Sequence, residues 1–480
     1  NDDDDDDDGG LEYEEMEEAR QPLLQRSASE SVVSRTPPAV HKTIGNLGSI
    51  AIAVNALASP AILQLPATYQ QSGFVPTTVT LILIGILSCF CSLHMANIVS
   101  KVPYNRNYEQ MVEFSEPFRV FWGTPAFVLT QVVFFLCTVC LNTAGIVDAA
   151  QVVDTFLGHS PLGSVGVRFH PTPVERVTWR HGPCTRQLVN EGLCDPFGDN
   201  DAFYGNILLT TGYVIAACVL VPVCLMDLKE NVAWQIFGFT VLCFNSVQFV
   251  GSFIAYGIDL DNLPMWGDRF DHMIGVILFN FSLVVAIPAW LHEKQEHVSV
   301  KKIVYGSSLL ATILYILVGT FGALAIPHVK SNVLEPMVSG AFGSLMRISA
   351  SFFAFVNIGL DIPLFSVLAR YNLVNSGLCT RTVANIFVVY IPWAVSWMFY
   401  QGDSIEQLLS WGGVLFTSLV AFILPLSLAL YILLFRPEQE GRIDDVHGKC
   451  VTSRQANTIT LMFLLIGGWS AIIFALIGLL

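Results

Sequence analysis

Asp361 is the residue of this 480-residue chain whose setting most demands a chemical explanation. It lies inside the apolar stretch 341–370, two residues before Pro363 and four after Asn357. On a helix, that four-residue spacing puts Asn357 and Asp361 on one face. An ionisable side chain within a membrane-length apolar stretch is expensive and marks a functional position. Asp361 is therefore expected to carry a proton or help hold a cation, with Asn357 beside it. The structural alternative is a hydrogen bond to backbone freed near Pro363. Asp148, in the outer part of the stretch 125–157 with Asn142 and Gly145, is a second candidate, suited to a gate. Glu293 and His94 stand near the ends of apolar stretches, where solvated positions are expected. Cys137 and Cys140 form a C-x-x-C pair within an apolar stretch, so packing is the expected role, and no metal site is expected. The chain has no H-E-x-x-H, G-x-S-x-G or P-loop pattern, and an enzyme is not expected.

The elements that must position these residues follow from composition. Hydrophobic residues make up 53% of the chain and charged residues 13%, against about 25% charged in soluble proteins. Residues 1–42 hold 13 acids and 4 bases, so much of the net charge of −15 belongs to that segment. The remainder carries too few charges to cover a surface in water, and a secreted, nucleic-acid-binding or disordered chain is excluded as the main reading. A bilayer span needs about 20 apolar residues. Eleven stretches qualify, near 43–66, 75–100, 125–157, 205–226, 231–257, 273–291, 302–327, 341–370, 381–401, 404–435 and 457–479. No stretch of that length alternates with period two, which argues against a membrane barrel. The acidic run Asp2–Asp8 stands where a signal peptide would be basic, so the first stretch is expected to remain as a span.

With the N-terminus in the cytosol, 17 of the 24 Lys and Arg residues fall in the tail and inner loops, Arg370 among them, and 7 fall outside. This bias supports that orientation, and the odd span count then places the C-terminus in a lumen or outside the cell. Of the 11 cysteines, only Cys184 and Cys194 share an exterior loop, within the extracytoplasmic segment 158–204. A disulfide between them is expected in an oxidising compartment, the alternative being two unpaired thiols. The sequon at Asn280 falls within the sixth stretch, too deep for a glycan.

The segment 1–42 is rich in Asp, Glu, Ser and Arg and reads as a disordered cytosolic tail. Tyr13-Glu14-Glu15-Met16 has the form of a tyrosine-based sorting signal, and Leu23-Leu24 follows the acidic cluster. Sorting adaptors are the partners this implies, and it favours a vacuolar or endolysosomal membrane over the plasma membrane. Ser27, Ser29, Ser31 and Ser34 are candidate phosphorylation positions.

Two interruptions organise the apolar body. The first stretch contains Asn55-Ala56-Leu57-Ala58-Ser59-Pro60-Ala61-Ile62-Leu63-Gln64-Leu65-Pro66. Pro60 has no N–H to donate and opposes a regular helix. In the sixth stretch, Phe279-Asn280-Phe281-Ser282 is followed by Ala286-Ile287-Pro288. Unwound backbone at membrane depth is tolerated where protein or a cavity receives the freed groups. Two interruptions five stretches apart are the signature of a five-plus-five inverted repeat, with a site where the broken helices meet. An ordinary proline kink in each is the alternative.

The run Gly45–Gly73 with Leu63-Gln64-Leu65-Pro66, the segment Asn107-Tyr108-Glu109-Gln110-Met111-Val112, and Trp411-Gly412-Gly413 followed by Ala421-Phe422-Ile423-Leu424-Pro425 resemble the amino acid/auxin permease family, of the amino acid-polyamine-organocation superfamily. The resemblance spans 43–479. It implies an all-α, multi-pass, LeuT-like fold: eleven transmembrane helices, helices 1 and 6 broken, and one helix beyond the repeat. It also implies a secondary active transporter of amino acids, usually coupled to protons and sometimes to sodium, with no other cofactor. A membrane-length receptor that senses amino acids on the same scaffold is the alternative. Where the family commonly has Gly-x-Gly in the first break, this chain reads Ser59-Pro60-Ala61. On this resemblance, backbone N–H groups around Ala58, Ser59, Ala61 and Ile62 would bind a substrate carboxylate, Ser59 also through its hydroxyl. Phe279, Asn280 and Ser282 would frame the side-chain pocket, with Asn142 close by. With no acid beside Asn280 in sequence, a neutral substrate is expected.

Overall fold

The computed structural model describes residues 42–58, 60–170, 174–180, 207–270, 272–329, 333–399, 408, 411–436 and 454–479. The acidic tail up to residue 41, Ser59, and the cysteines Cys184 and Cys194 lie outside the described residues.

The first apolar stretch is broken where its proline predicts. Helix α1 (Asn46–Asn55) ends before the break. A 3-10 turn, Pro60–Gln64, then leads into α2 (Leu65–Ser72). The long helix α3 (Phe74–Ser100) follows at once, because Gly73 turns the chain at φ 92°. A short helix α4 (Glu116–Trp122) precedes α5 (Thr124–Gly158). The 35 residues of α5 are about 52 Å long at 1.5 Å per residue, well beyond a hydrocarbon core of about 30 Å.

Beyond α5 the chain forms a small antiparallel sheet in the order β2-β1-β3, from β1 (Ser164–His170), β2 (Glu175–Trp179) and β3 (Ile207–Thr210). The expectation of loop alone over 158–204 is corrected here. Val165, Val167 and Phe169 alternate with Ser164, Gly166 and Arg168, a strand pattern too short to register at membrane length. Arg168 and Glu175 are register partners across β1 and β2 and form an ion pair. The sheet seats on α5 through Trp179, whose ring lies so close to Gly158 that a Cβ there would fall 1.5 Å from it.

The remaining helices are α6 (Thr211–Cys224), α7 (Leu228–Tyr256), α8 (Met273–Asn280), α9 (Ile287–Glu293), α10 (Val300–Ala325) and α11 (Leu334–Ser339). They are followed by α12 (Ser344–Phe353), α13 (Gly359–Asn375), α14 (Arg381–Asn385), α15 (Ile391–Ser396), α16 (Leu424–Phe435) and α17 (Arg454–Leu479). Helix α7 starts on a capping box in which Asp227 and Glu230 each receive the other's backbone N–H. Four π-helical stretches join or lead into these helices: Ala354–Ile358, Ile386–Tyr390, Gly412–Thr417 and Leu419–Ile423.

Among the described residues, nine helices are long and apolar enough to cross a bilayer, where eleven spans were expected. The first and fourth stretches make the difference. Proline divides the first, leaving the ten-residue α1. The fourth begins as strand β3, and its helix α6 has only 14 residues, about 21 Å long. The sixth stretch is interrupted as expected. Helix α8 stops at Asn280, Leu283–Val285 form a 3-10 turn, and α9 restarts with Pro288 in its first turn.

Helix α10 packs against α1, α2, α3 and α7, while α13 packs against α5, α6 and α7. The two breaks are buried where these groups meet. Arg370, expected in an inner loop, instead lies in α13 and is 1% exposed. Glu293 and His94, expected to be solvated, are also buried.

Candidate functional site

The two unwound segments meet directly. Ser282 Oγ donates to the Ala56 carbonyl at 2.8 Å, so a side chain from the second break satisfies a backbone acceptor from the first. The hydroxyl of Tyr315, on α10, lies against two carbonyls, Leu57 from the first break and Asn280 at 3.2 Å from the second. The half-helices are also joined farther along. Trp290 Nε1 donates to Ser49 Oγ at 2.9 Å, and the N–H groups of Thr43 and Ile44 both donate to the Glu293 carbonyl. Residues of both broken helices are therefore bonded to one another on each side of the break as well as within it.

The residues expected to bind substrate divide between the two segments. The Ala58 N–H donates to Val54 O and Asn55 O, each at 2.9 Å, continuing α1 by one turn. Ala61 and Ile62 stand in the 3-10 turn that restarts the chain, and both are buried. The opening N–H groups of a helical turn have no acceptor inside it and are natural anion donors. Phe279 is buried against Gly412 and Gly413: a Cβ built on either glycine would lie 3.3 Å from an atom of its side chain. Asn280 Nδ2 donates to Val276 O of its own helix at 3.0 Å. Asn142 of α5 donates to Ser366 Oγ of α13 at 3.0 Å, which places it against the helix of Asp361. Asp148 is buried on α5, six residues farther along.

Asp361 sits in the first turn of α13, just after the π-helical stretch Ala354–Ile358. It is 3% exposed, and neither carboxylate oxygen has a hydrogen-bond partner among the described residues. Its charge acts on the Tyr315 hydroxyl, which connects it to both breaks. Asn357 donates to Gly238 O at 2.7 Å, while its own Oδ1 has no partner. A second polar chain runs from the neighbouring residue. Gln235 Nε2 donates to Leu360 O at 3.1 Å and to Asn231 Oδ1 at 3.0 Å, and Asn55 Nδ2 donates to Gln235 Oε1 at 2.7 Å. A carboxylate buried with no counter-charge is costly. The arrangement suits a group that a mobile proton or cation neutralises.

Sequence reasoning missed Tyr315, Gln235 and Asn231. Their signal was present: Asn231 and Gln235 are four residues apart on one face of an apolar helix, and Tyr315 stands in the middle of another.

No protein-family model matches the chain, and no curated protein sequence matches it. Solved structures do match. One is Mhp1, a nucleobase-cation-symport-1 family transporter in a closed conformation with bromovinylhydantoin bound. It aligns with a TM-score of 0.54 at 12% identity, over 93% of this chain and 94% of that one. Another is MhsT in complex with L-phenylalanine, with a TM-score of 0.57 at 12% identity, over 92% of this chain and all of that one. The chain has the LeuT-like fold. At this identity the likeness speaks to fold alone, and it covers the chain nearly end to end. The multi-pass membrane architecture is therefore secure, and sequence alone assigns no family.

Proposed function

We propose that the protein is a secondary active transporter of neutral amino acids, driven by protons and working by alternating access around the two breaks. The observation that carries this reading is the buried Asp361 carboxylate. It has no bonded partner among the described residues, yet it acts on a tyrosine that touches both unwound segments. A group that must be neutralised, placed beside backbone that must bind and release a ligand, is what coupling needs. The resemblance to the amino acid/auxin permease family narrows the ligand to amino acids, and the solved relative MhsT holds L-phenylalanine. In this reading Ala58, Ser59, Ala61 and Ile62 bind the substrate carboxylate. Phe279, Asn280, Ser282 and Asn142 surround its side chain, and Asp148 gates the outer side. Asp361, with Asn357, carries the coupling proton in preference to sodium. The acidic tail, with its sorting motifs, favours a vacuolar or endolysosomal membrane with the N-terminus cytosolic.

The test is uptake by purified protein in liposomes, with pH and sodium gradients imposed separately and a panel of radiolabelled neutral amino acids. A pH gradient is expected to drive accumulation, and Asp361→Asn is expected to reduce it to the level of empty vesicles. Silence of the wild type under every gradient would sink the transporter reading. Accumulation by Asp361→Asn against a pH gradient would remove Asp361 from the coupling step.

A further inference from the structure

The geometry points to Tyr315 as a positioning residue whose single hydroxyl holds the two broken helices together and reports the state of Asp361 to both. The inference rests on the transporter reading above for its use, but its geometry is independent of it. Tyr315 is 1% exposed, and its ring is fixed edge-on against Phe281 of the second break, with centroids 5.5 Å apart and planes at 87°. The ring therefore has little room to swing, while the hydroxyl hydrogen is free to rotate.

That hydrogen has more acceptors than it can serve. The Leu57 and Asn280 carbonyls both face the hydroxyl, and a phenol donates one hydrogen bond. Each orientation thus leaves one buried carbonyl unserved by Tyr315. Asp361 adds a third claim on the same hydrogen, because its charge acts on this hydroxyl. The ionisable groups facing α10 from the helices packed on it are few. Tyr69 of α2 lies beside Gly319, Cys89 of α3 reaches Ser308, and Asp361 of α13 reaches Tyr315. Only Asp361 of these acts on the Tyr315 hydroxyl. When Asp361 is ionised, it draws the hydroxyl hydrogen and loosens its hold on both carbonyls. When Asp361 is protonated, the hydroxyl returns to them and the two breaks are tied. The phenol keeps its proton throughout, and only the orientation of the O–H changes.

The bond from Ser282 to Ala56 runs between the same two segments without involving Tyr315, so it serves as an internal control. It is expected to persist in either state of Asp361. Tyr315 differs from it in being able to respond.

The experiment is hydrogen–deuterium exchange of the full-length protein in lipid nanodiscs at pH 5.5 and 7.5, comparing wild type, Tyr315→Phe and Asp361→Asn. In the wild type, amides of 54–63 and 278–286 are expected to exchange faster at pH 7.5, after correction for intrinsic rates. Tyr315→Phe keeps the ring and removes the donor. It is expected to raise exchange in both segments by roughly tenfold and to abolish their pH dependence, with α3 unchanged. Asp361→Asn is expected to abolish the pH dependence while leaving the segments protected, which keeps the inference testable if the tyrosine variant does not reach the membrane. Exchange that rises only around residue 315, or pH dependence that survives in either variant, would overturn it. Uptake in liposomes is read in parallel. A wild type that shows pH-dependent exchange but moves no amino acid would refute the transporter reading and leave Tyr315 in its place.

Discussion

The middle of the molecule and the end that carries the inner loops treat polar groups in opposite ways. At the inner-loop end, buried polar atoms are matched. Arg370 donates to Cys224 O at 2.9 Å, to Met226 O, and to Asn385 Oδ1 at 3.3 Å. Asp227 receives Arg370 at 3.4 Å and Arg381 at 3.0 Å. The loop after α3 is stitched to α13 by Ser115 and Asn372 at 2.8 Å and by Asn375 and Glu113 at 2.7 Å. At the breaks, by contrast, both oxygens of Asp361 and the side-chain oxygens of Asn55, Asn142 and Asn357 have no partner among the described residues. Buried polar groups are normally satisfied, and unsatisfied ones call for an explanation. The contrast separates a part built to hold from a part kept ready for something that comes and goes.

Three substitutions press on that contrast. The largest effect is expected from Arg370→Ala, which leaves the Cys224 and Met226 carbonyls without their buried donor. The expected loss is about 3–5 kcal/mol, the range for removing one partner of a buried charged pair, and a fall in melting temperature would measure it. If Arg370→Ala melts like the wild type, the matched end is not what holds the chain together. Next is Gly413→Ala. A Cβ there would lie 2.2 Å from the Gly275 carbonyl, so the stretch Gly412–Thr417 could no longer approach α8. Overpacking of this kind costs about 1–3 kcal/mol. Because Phe279 lies at the same contact, binding of a neutral amino acid, read by scintillation proximity, is expected to weaken along with stability. Unchanged binding would detach this contact from the site.

The smallest effect belongs to Glu113, the one member of the matched end that titrates near neutrality. Burial pushes its carboxyl up to about 7, with Asn375 pulling against the rise and the charge of Glu293 adding to it. The folded chain therefore holds this proton more tightly than the unfolded chain. Its contribution is fully present below the ordinary value of 4.5 and is lost as pH rises through about 7. Melting temperatures between pH 5 and 8 are expected to fall with rising pH in the wild type and to flatten in Glu113→Gln. An equally steep fall in the variant would assign the dependence to another group.

Much of the fold was legible because the breaks are written in proline. Pro60 and Pro288 announce interrupted helices without any structure, and Asp361 stands out against its apolar surroundings. What was not legible depended on partners distant in sequence. Tyr315 reads as one more aromatic residue of a span until Leu57, 258 positions earlier, is seen against its hydroxyl. Arg370 counts as a loop charge until α13 is found to run on to Asn375 and bury it. Thr211–Cys224 seemed to continue a longer apolar run because Ile207, Leu208 and Leu209 are as apolar as a span, although they form a strand.

The π-helical stretch Ala354–Ile358 has a consequence for phase. A π turn holds one residue more than an α turn, so every side chain after it points where an uninterrupted helix would not aim it. Deleting one residue there would let the chain run on as a plain α-helix, yet it would rotate all that follows by about 100°. Asp361 would then sit at nearly the same depth, facing another neighbour. Its address is set by that one surplus residue.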